Sequence, residues 1–283
     1  MLSSMPRSRR QTPGGYVYHA LNRAVARLPL FKKDRDYEAF FRVLDEALDR
    51  HPIRILGYCV MPNHWHFVLW PKRDDDMTAF LRWLTHTHTM RWHAHHHTVG
   101  TGHLYQGRFK SFPVEQDEYL YSLLRYVERN ALRAGLVKRA EDWRWSSLFH
   151  RRQGCEPKDR LSAWPVSMPR DWVAHVNRPQ TEAEVEALRR SLVRGSPYGS
   201  EEWQEKTAKR LGLTYTLRPR GRPKKEKCAA SPTPLCEICD QTLDPSNDLE
   251  HCQMVGRGTV QFRFHIGRKS RLLTHLCPKP CPD

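Results

Sequence analysis

Residues 53–70 constrain the fold of this chain most strongly. Two β-rich segments, 53–61 and His64–Trp70, are joined by Pro62 and Asn63, a pair typical of tight turns. Because side chains alternate along a strand, His64 and His66 share one face of the predicted sheet. The sequence therefore predicts two paired strands with two imidazoles side by side on the second.

The two histidines lie within an apolar segment. Cys59 and Val60 precede them, and Phe67 and Val68 follow them. An isolated pair of histidines in a strand is commonly a pair of surface polar residues without a specific role. Here, however, the pair is predicted to be buried, and burying polar groups without hydrogen-bond partners costs free energy. We therefore expect the imidazoles either to bind a metal ion or to make specific hydrogen bonds.

The surrounding periodicity predicts the order β-α-β-β-α-β. Alternation favours strands, and apolar residues three and four apart favour helices. The predicted strands cover residues 16–21, 53–61, 64–70 and about 103–114, and the predicted helices cover 34–50 and 74–97. The second helix is rich in histidines, which we expect on a solvated face: His86, His88, His93, His95, His96 and His97. This order predicts an α+β fold with an antiparallel sheet covered by helices.

A third helix is predicted over residues 116–134. At 100° per residue, Tyr126 and Asn130 share one flank of its apolar stripe and can face one target together. Tyr119 lies on nearly the same stripe, so periodicity does not choose between the two tyrosines. The rest of the helix surface is predicted to be polar, with Tyr121, Arg125, Glu128 and Arg129.

Two segments carry a family resemblance. Residues 61–68 (MPNHWHFV) resemble the HUH segment of single-tyrosine transposases, and residues 125–135 (RYVERNALRAG) resemble the nucleophile helix of the REP-associated tyrosine transposases. The similarity runs from about residue 16 to residue 145, and residues 195–225 resemble the family's C-terminal region. Ala131 departs from the family pattern, in which proline usually follows the asparagine.

The resemblance implies a ferredoxin-like HUH endonuclease fold and a DNA strand transferase. Tyr126 would be the nucleophile, and His64, His66 and Asn130 would hold a divalent metal, Mg²⁺ or Mn²⁺. The product would be a 5′-phosphotyrosine with a free 3′-hydroxyl. A 3′-hydroxyl of a second strand could then reverse the cleavage step without ATP. The implied substrate is single-stranded DNA containing a REP-type hairpin.

Two other functions fit the residues. One is a DNA-binding protein without catalysis, and the other is a metal-dependent phosphodiesterase that uses water while Tyr126 is structural. A histidine-triad hydrolase would need a third alternating histidine, but that position is Val68. A two-histidine phosphodiesterase would need a second copy of its motif, which the sequence lacks.

The charge of the chain favours a polyanionic partner. Lys and Arg number 47 against 31 Asp and Glu, giving a net charge of +16, and the pI is near 9.7. Candidate DNA contacts flank the predicted strands or lie in a basic arm over residues 218–227, whose Gly-Arg-Pro core resembles an AT-hook: Arg23, Arg108, Lys110, Arg220, Arg222 and Lys224.

The composition divides the chain into five predicted regions. They are a basic N-terminal arm (1–15), the catalytic domain (16–150), a small helical C-terminal extension (151–217), the basic arm (218–227) and a Cys- and Pro-rich tail (228–283) expected to be disordered. Six cysteines and His251 in the tail match no standard zinc-finger spacing. Without a secretory signal, we expect a cytoplasmic, nucleoid-associated monomer or homodimer.

Overall fold

The structure is a computed structural model. It describes residues 12–154 and 160–218, together with the backbone of three strands at 252–254, 259–266 and 269–276. The predicted AT-hook core and most of the basic arm lie outside the described residues. By backbone contacts the chain divides into two units, Met1–Arg220 and Gly221–Asp283.

The first unit contains four strands and eight α-helices among its described residues. The strands are β1 (Val17–Arg23), β2 (Arg54–Met61), β3 (His64–Trp70) and β4 (Lys110–Val114). The helices are α1 (Asp34–Arg50), α2 (Asp76–His95), α3 (Glu118–Glu128), α4 (Asn130–Arg133), α5 (Ser147–Gln153), α6 (Trp172–Asn177), α7 (Glu182–Arg194) and α8 (Glu201–Arg210).

The four strands form one sheet in the order β2-β3-β1-β4. Every neighbouring pair is antiparallel. With the chain order β1-α1-β2-β3-α2-β4, this is the ferredoxin-like arrangement. The predicted α+β fold is therefore confirmed, and β3 and β1 are its two central strands.

The sheet has a hydrophobic core on each face. Trp65 and Phe67 belong to the core formed with α1 and α2. Val68 and Cys59 belong to the core formed with α3, which lies on the opposite face. The alternation predicted for β3 is thus observed, and it directs the two histidines toward α3.

Gly57 allows α3 to pack closely on β2. It follows a register shift between Ile55 and Gly57 in the β2–β3 pairing. A Cβ atom at this position would lie 2.6 Å from Leu124 Cδ2 on α3. The missing side chain therefore sets how near the tyrosine-bearing helix comes to the sheet.

Two predicted elements are shorter than expected. The helix over 116–134 is divided at Arg129 into α3 and α4, with Asp117 accepting a hydrogen bond from the Tyr119 backbone N–H as the N-cap of α3. The strand expected from residue 103 begins only at Lys110. Before it, Tyr105 forms an isolated bridge with Ala24 instead of a continuous ladder.

The C-terminal extension is helical, as predicted. Helix α7 ends at Arg194, and the next residue, Gly195, adopts the left-handed conformation with φ of 73°, as glycine commonly does after a helix. In the second unit, strands β5 (Cys252–Met254), β6 (Thr259–Ile266) and β7 (Lys269–Leu276) form an antiparallel sheet. These three segments differ from the disorder expected for the tail, because residues 259–266 alternate apolar and polar along β6.

His88 corrects the prediction that the histidines of α2 all face solvent. Its side chain is buried, and its Nδ1 lies 2.8 Å from the Tyr105 hydroxyl. Burial lowers the pKa of His88 to about 3. The imidazole is therefore neutral in the folded core beneath the sheet.

His88 should make stability fall in acid. The unfolded chain gains a proton below about pH 6.5, whereas folded His88 gains one only near pH 3, so the free energy of unfolding decreases as the pH falls between these values. We predict that His88→Asn reduces the loss between pH 7 and pH 5 by about 2 kcal/mol. Urea denaturation at both pH values measures this.

The control for that measurement is His86→Asn, at an exposed position on the same helix. It should retain the wild-type dependence of stability on pH. An identical dependence in His88→Asn and the wild type would show that the folded chain already protonates His88 at pH 5.

Candidate active site

Strand β3 holds the two predicted imidazoles side by side. The ring centroids of His64 and His66 are 5.0 Å apart. His66 is buried, and His64 is half-buried at the start of the strand. The more exposed side of the pair therefore lies at the start of β3, next to the Pro62-Asn63 turn.

Burial keeps both imidazoles neutral. It lowers the pKa of His64 to about 3, aided by the positive charges of Arg23 and Arg133. The pKa of His66 lies well below its ordinary value, first through burial and then through repulsion by His64, His19 and the same two arginines. Neutral imidazoles are the form that binds metal ions.

The Nδ1 atoms of both imidazoles have partners. His64 Nδ1 lies 2.6 Å from Asn63 Oδ1, and because an amide oxygen only accepts, this nitrogen carries the proton. His66 Nδ1 lies 2.8 Å from His19 Nε2. The His64 Nε2 atom therefore keeps a lone pair, and His66 can present its Nε2 in the same way when it donates to His19.

Tyr126 is the tyrosine that α3 brings to this pair. Its ring centroid is 6.1 Å from that of His66, in an edge-on arrangement. Tyr119 instead packs against Tyr198 at 5.2 Å, and the Tyr121 hydroxyl donates to the Ser167 carbonyl. The structure thus separates Tyr126 from Tyr119, which helical periodicity did not.

Asn130 joins the cluster through Arg133. The Arg133 Nη2 atom donates to Asn130 Oδ1 at 2.8 Å, and its guanidinium carbon lies 4.1 Å from the centroid of the Tyr126 ring. Asn130 Nδ2 is buried without a hydrogen-bond partner among the described residues. The predicted residues Tyr126 and Asn130 therefore face the same region, with Arg133 between them.

Sequence reasoning assigned no role to His19 or Arg133. The contact of His19 with His66 depends on the register of β1 against β3, in which His19 pairs with Val68, and no sequence pattern gives that register. Arg133 was within reach of the sequence, because it follows Tyr126 by seven residues and Asn130 by three. Those spacings place all three on one helical face.

The three candidate DNA contacts near the sheet differ in position. Arg23 pairs with His64 across β1 and β3. Lys110 pairs with Leu21, which in turn pairs with His66, so Lys110 lies two strands away on the same face. Arg108 is exposed in the loop before β4.

Glu128 corrects the prediction of a polar surface on α3. Its carboxylate is fully buried, accepts hydrogen bonds from Ser147 Oγ at 2.6 Å and Trp172 Nε1 at 2.7 Å, and lies 3.6 Å from Arg151 Nε. Arg125 is buried as well and donates to the carbonyls of Arg178 and Pro179. Helices α5 and α6 therefore hold the tyrosine-bearing helix through buried polar contacts.

Within the described residues, no three His, Cys, Asp or Glu side chains are grouped to hold a metal ion. The further metal ligand predicted beside the two imidazoles is an amide oxygen, that of Asn130. None of the described helices combines the length and the apolar character needed to cross a membrane.

The region that carries these residues matches a family model. Residues 14–130 match the model of the IS200-like transposases. This segment of the chain is similar to the IS200-like transposases. His64, His66, Tyr126 and Asn130 all lie within the matched residues, and Arg133 follows three residues beyond them.

Two relatives have related names. The chain is 25% identical over 125 residues to a Haemophilus influenzae protein named “Putative REP-associated tyrosine transposase”. The alignment covers 41% of this chain and 70% of that protein. A solved REP-associated tyrosine transposase bound to a REP hairpin aligns with a TM-score of 0.43 and 22% identity, over 63% of this chain and 100% of that one.

Removing the Glu128 carboxylate should destabilise the domain that contains the candidate site. Glu128→Ala leaves Arg151, Ser147 Oγ and Trp172 Nε1 without their buried partner. We predict a loss of roughly 3 to 5 kcal/mol in the free energy of unfolding, as for a broken buried ion pair. Chemical denaturation measures it.

The matched control is Glu118→Ala, an exposed carboxylate in the first turn of the same helix. It should cost less than about 1 kcal/mol, through the helix dipole alone. Equal losses for the two variants would mean that the buried network contributes nothing beyond ordinary helix electrostatics.

Proposed function

We propose that this chain nicks and rejoins single-stranded DNA, with Tyr126 as the nucleophile. The observation that carries the proposal is the position of Tyr126: its ring lies edge-on to His66, and the Arg133 guanidinium lies over it. A hydroxyl nucleophile, two neutral imidazoles and a cation in one buried corner suit attack on a phosphodiester.

The residues present fit a divalent metal ion. His64 and His66 are neutral and have their Nδ1 atoms engaged, and the Asn130 Oδ1 atom accepts one hydrogen bond from Arg133 and keeps a second lone pair. We propose that His64, His66 and the Asn130 oxygen hold Mg²⁺ or Mn²⁺. When bound, such an ion would polarise the phosphate and leave open positions for its oxygens.

The proposed reaction conserves the phosphodiester bond. The Tyr126 Oη atom bonds to phosphorus, the bond from phosphorus to the 3′ oxygen breaks, and the phenol proton is released to solvent as the 3′ oxygen gains one. The chain is then linked to DNA through a 5′-phosphotyrosine. Attack by a 3′-hydroxyl on this linkage reverses the step without ATP.

The proposed substrate is a folded single strand of the REP hairpin type. The resemblance of residues 61–68 and 125–135 to REP-associated tyrosine transposases supports it, and so does the name of the Haemophilus influenzae relative. We propose that Arg23 and Lys110, on the histidine-bearing face of the sheet, contact the DNA together with Arg108 and the basic arm containing Arg220, Arg222 and Lys224.

We further propose that the chain works in the cytoplasm at the nucleoid.

His64, His66, Tyr126 and Asn130 come from one chain, so a monomer contains the whole proposed centre. A homodimer would not need to exchange the tyrosine helix to complete it.

Tyr126→Phe should abolish formation of the covalent protein–DNA adduct while leaving DNA affinity within a few-fold, because the ring packing stays and only the attacking oxygen is lost. The measurement is incubation with single-stranded hairpin DNA and Mn²⁺, followed by denaturing electrophoresis. Tyr119→Phe is the matched control and should form the adduct at the wild-type rate. Adduct formation by Tyr126→Phe would assign the nucleophile to another residue.

Loss of either imidazole should remove both metal binding and cleavage. We predict that His64→Ala and His66→Ala each weaken Mn²⁺ binding by at least tenfold in calorimetry, and that EDTA stops cleavage by the wild type. His86→Ala, on the opposite face of the sheet, should change neither quantity. Cleavage that persists in EDTA and in both variants would show that the two histidines are structural.

A further inference from the structure

We propose that Arg23 and Arg133 form a clamp that binds the oxygens of a DNA phosphodiester beside His64, His66 and Tyr126, and that it does so without a metal ion. The identity of this anion as the scissile phosphate rests on the proposed function. The clamp itself follows from two arginines on separate elements, one paired with His64 and the other lying over Tyr126, each with an unused donor.

Arg23 approaches the centre from the end of β1. It is the direct partner of His64 in the β1–β3 ladder, so the two side chains leave the same face of the sheet about 5 Å apart at Cβ. Its backbone is fixed on both sides, because its N–H donates to Asn22 Oδ1 at 3.0 Å and its carbonyl accepts from Gln106 at 2.9 Å. The Arg23 Nε atom is buried without a hydrogen-bond partner in the described structure.

Arg133 approaches from α4 on the other side. Its Nη2 is used by Asn130 Oδ1, and its guanidinium covers the Tyr126 ring. Its Nη1 is buried without a partner among the described residues. The group is thus positioned by two contacts and has a donor to spare.

Both arginines lie next to the imidazole pair. Arg23 pairs directly with His64, and Arg133 covers the Tyr126 ring, whose centroid is 6.1 Å from that of His66. The two cations and the two imidazoles therefore share one electrostatic environment, which is positive and partly shielded from water. Such an environment favours an anion strongly.

Neither clamp arginine has a carboxylate partner within the described part of the chain. Three other buried or half-buried arginines do have one: the pairs are Arg125 with Glu184, Arg151 with Glu128, and Arg160 with Asp45. Half-buried cations without counterions are costly unless a ligand supplies the charge. A bound anion at the candidate active site would supply the missing negative charge for these two guanidiniums.

A phosphodiester suits these donors. Guanidinium groups match the paired oxygens of a phosphate and donate charge-assisted hydrogen bonds to them. Two guanidiniums from opposite sides can each take one non-bridging oxygen. The phosphorus would then lie beside the imidazole pair and Tyr126, where the proposed nucleophile can reach it.

The first test measures anion binding without metal or cleavage. The full chain carries ¹⁵N-labelled arginine and is titrated with inorganic phosphate in EDTA, with chloride holding the ionic strength constant. The Nε–H signals that disappear in Arg23→Lys and Arg133→Lys identify the two residues. We expect both signals to shift saturably, and Arg23→Gln and Arg133→Gln to weaken phosphate binding at least tenfold.

The control is Arg42→Gln, an exposed arginine on α1 across the sheet, which should change phosphate affinity less than twofold. Thermal melting establishes whether each variant is folded. If a Gln variant does not fold, the corresponding Lys variant, which retains the positive charge, is measured in its place. The clamp is refuted if phosphate shifts neither signal, or if affinity is unchanged in both the Gln and the Lys variants.

The second test uses single-turnover adduct formation on hairpin DNA with Mn²⁺. We expect Arg133→Gln to slow it by about 10²- to 10³-fold, as for a lost transition-state donor. If the wild type forms no adduct but phosphate binding depends on both arginines, the result supports the clamp and contradicts the proposal that Tyr126 attacks DNA. If adduct forms at the same rate in both Gln variants, the clamp falls and the tyrosine chemistry stands.

Discussion

The burial of two imidazoles on the central strand β3 is the constraint on which the rest of the structure depends. A strand buried on both faces must place alternate side chains in two cores, and here Trp65 and Phe67 fill one while His64 and His66 enter the other. The second core must then supply partners for polar groups. It does so through Asn63 and His19, and the same burial keeps the imidazoles neutral at physiological pH.

The position of the tyrosine follows from how α3 is held. Gly57 lets the helix approach β2 closely, and the Glu128 network joins the helix to α5 and α6. Tyr126 and Glu128 are two residues apart, so they project on different sides of the helix. One side therefore anchors the helix while the other presents the phenol to His66, and preorganisation of this kind is what attack on a phosphodiester requires.

The sequence predicted helices and strands well where the apolar residues followed one period, either that of a helix or that of a strand. The bounds of α1 and β3 follow from their apolar patterns, and so does the common face of Tyr126 and Asn130. Glu128 was misplaced because a helical wheel shows only one core, whereas α3 is covered on two sides. His19 could not be assigned because its contact depends on strand register. The break at Arg129 and the burial of His88 likewise depend on tertiary packing.

The central claim is that Tyr126 becomes covalently linked to DNA. The direct measurement is mass spectrometry of the wild-type chain after reaction with hairpin DNA and Mn²⁺, nuclease digestion and proteolysis. The account predicts a nucleotide attached through a 5′-phosphate to the peptide that contains Tyr126, with fragment ions placing it on that residue. Attachment at Tyr119 or Tyr121, or cleaved DNA with no modified peptide, would contradict it.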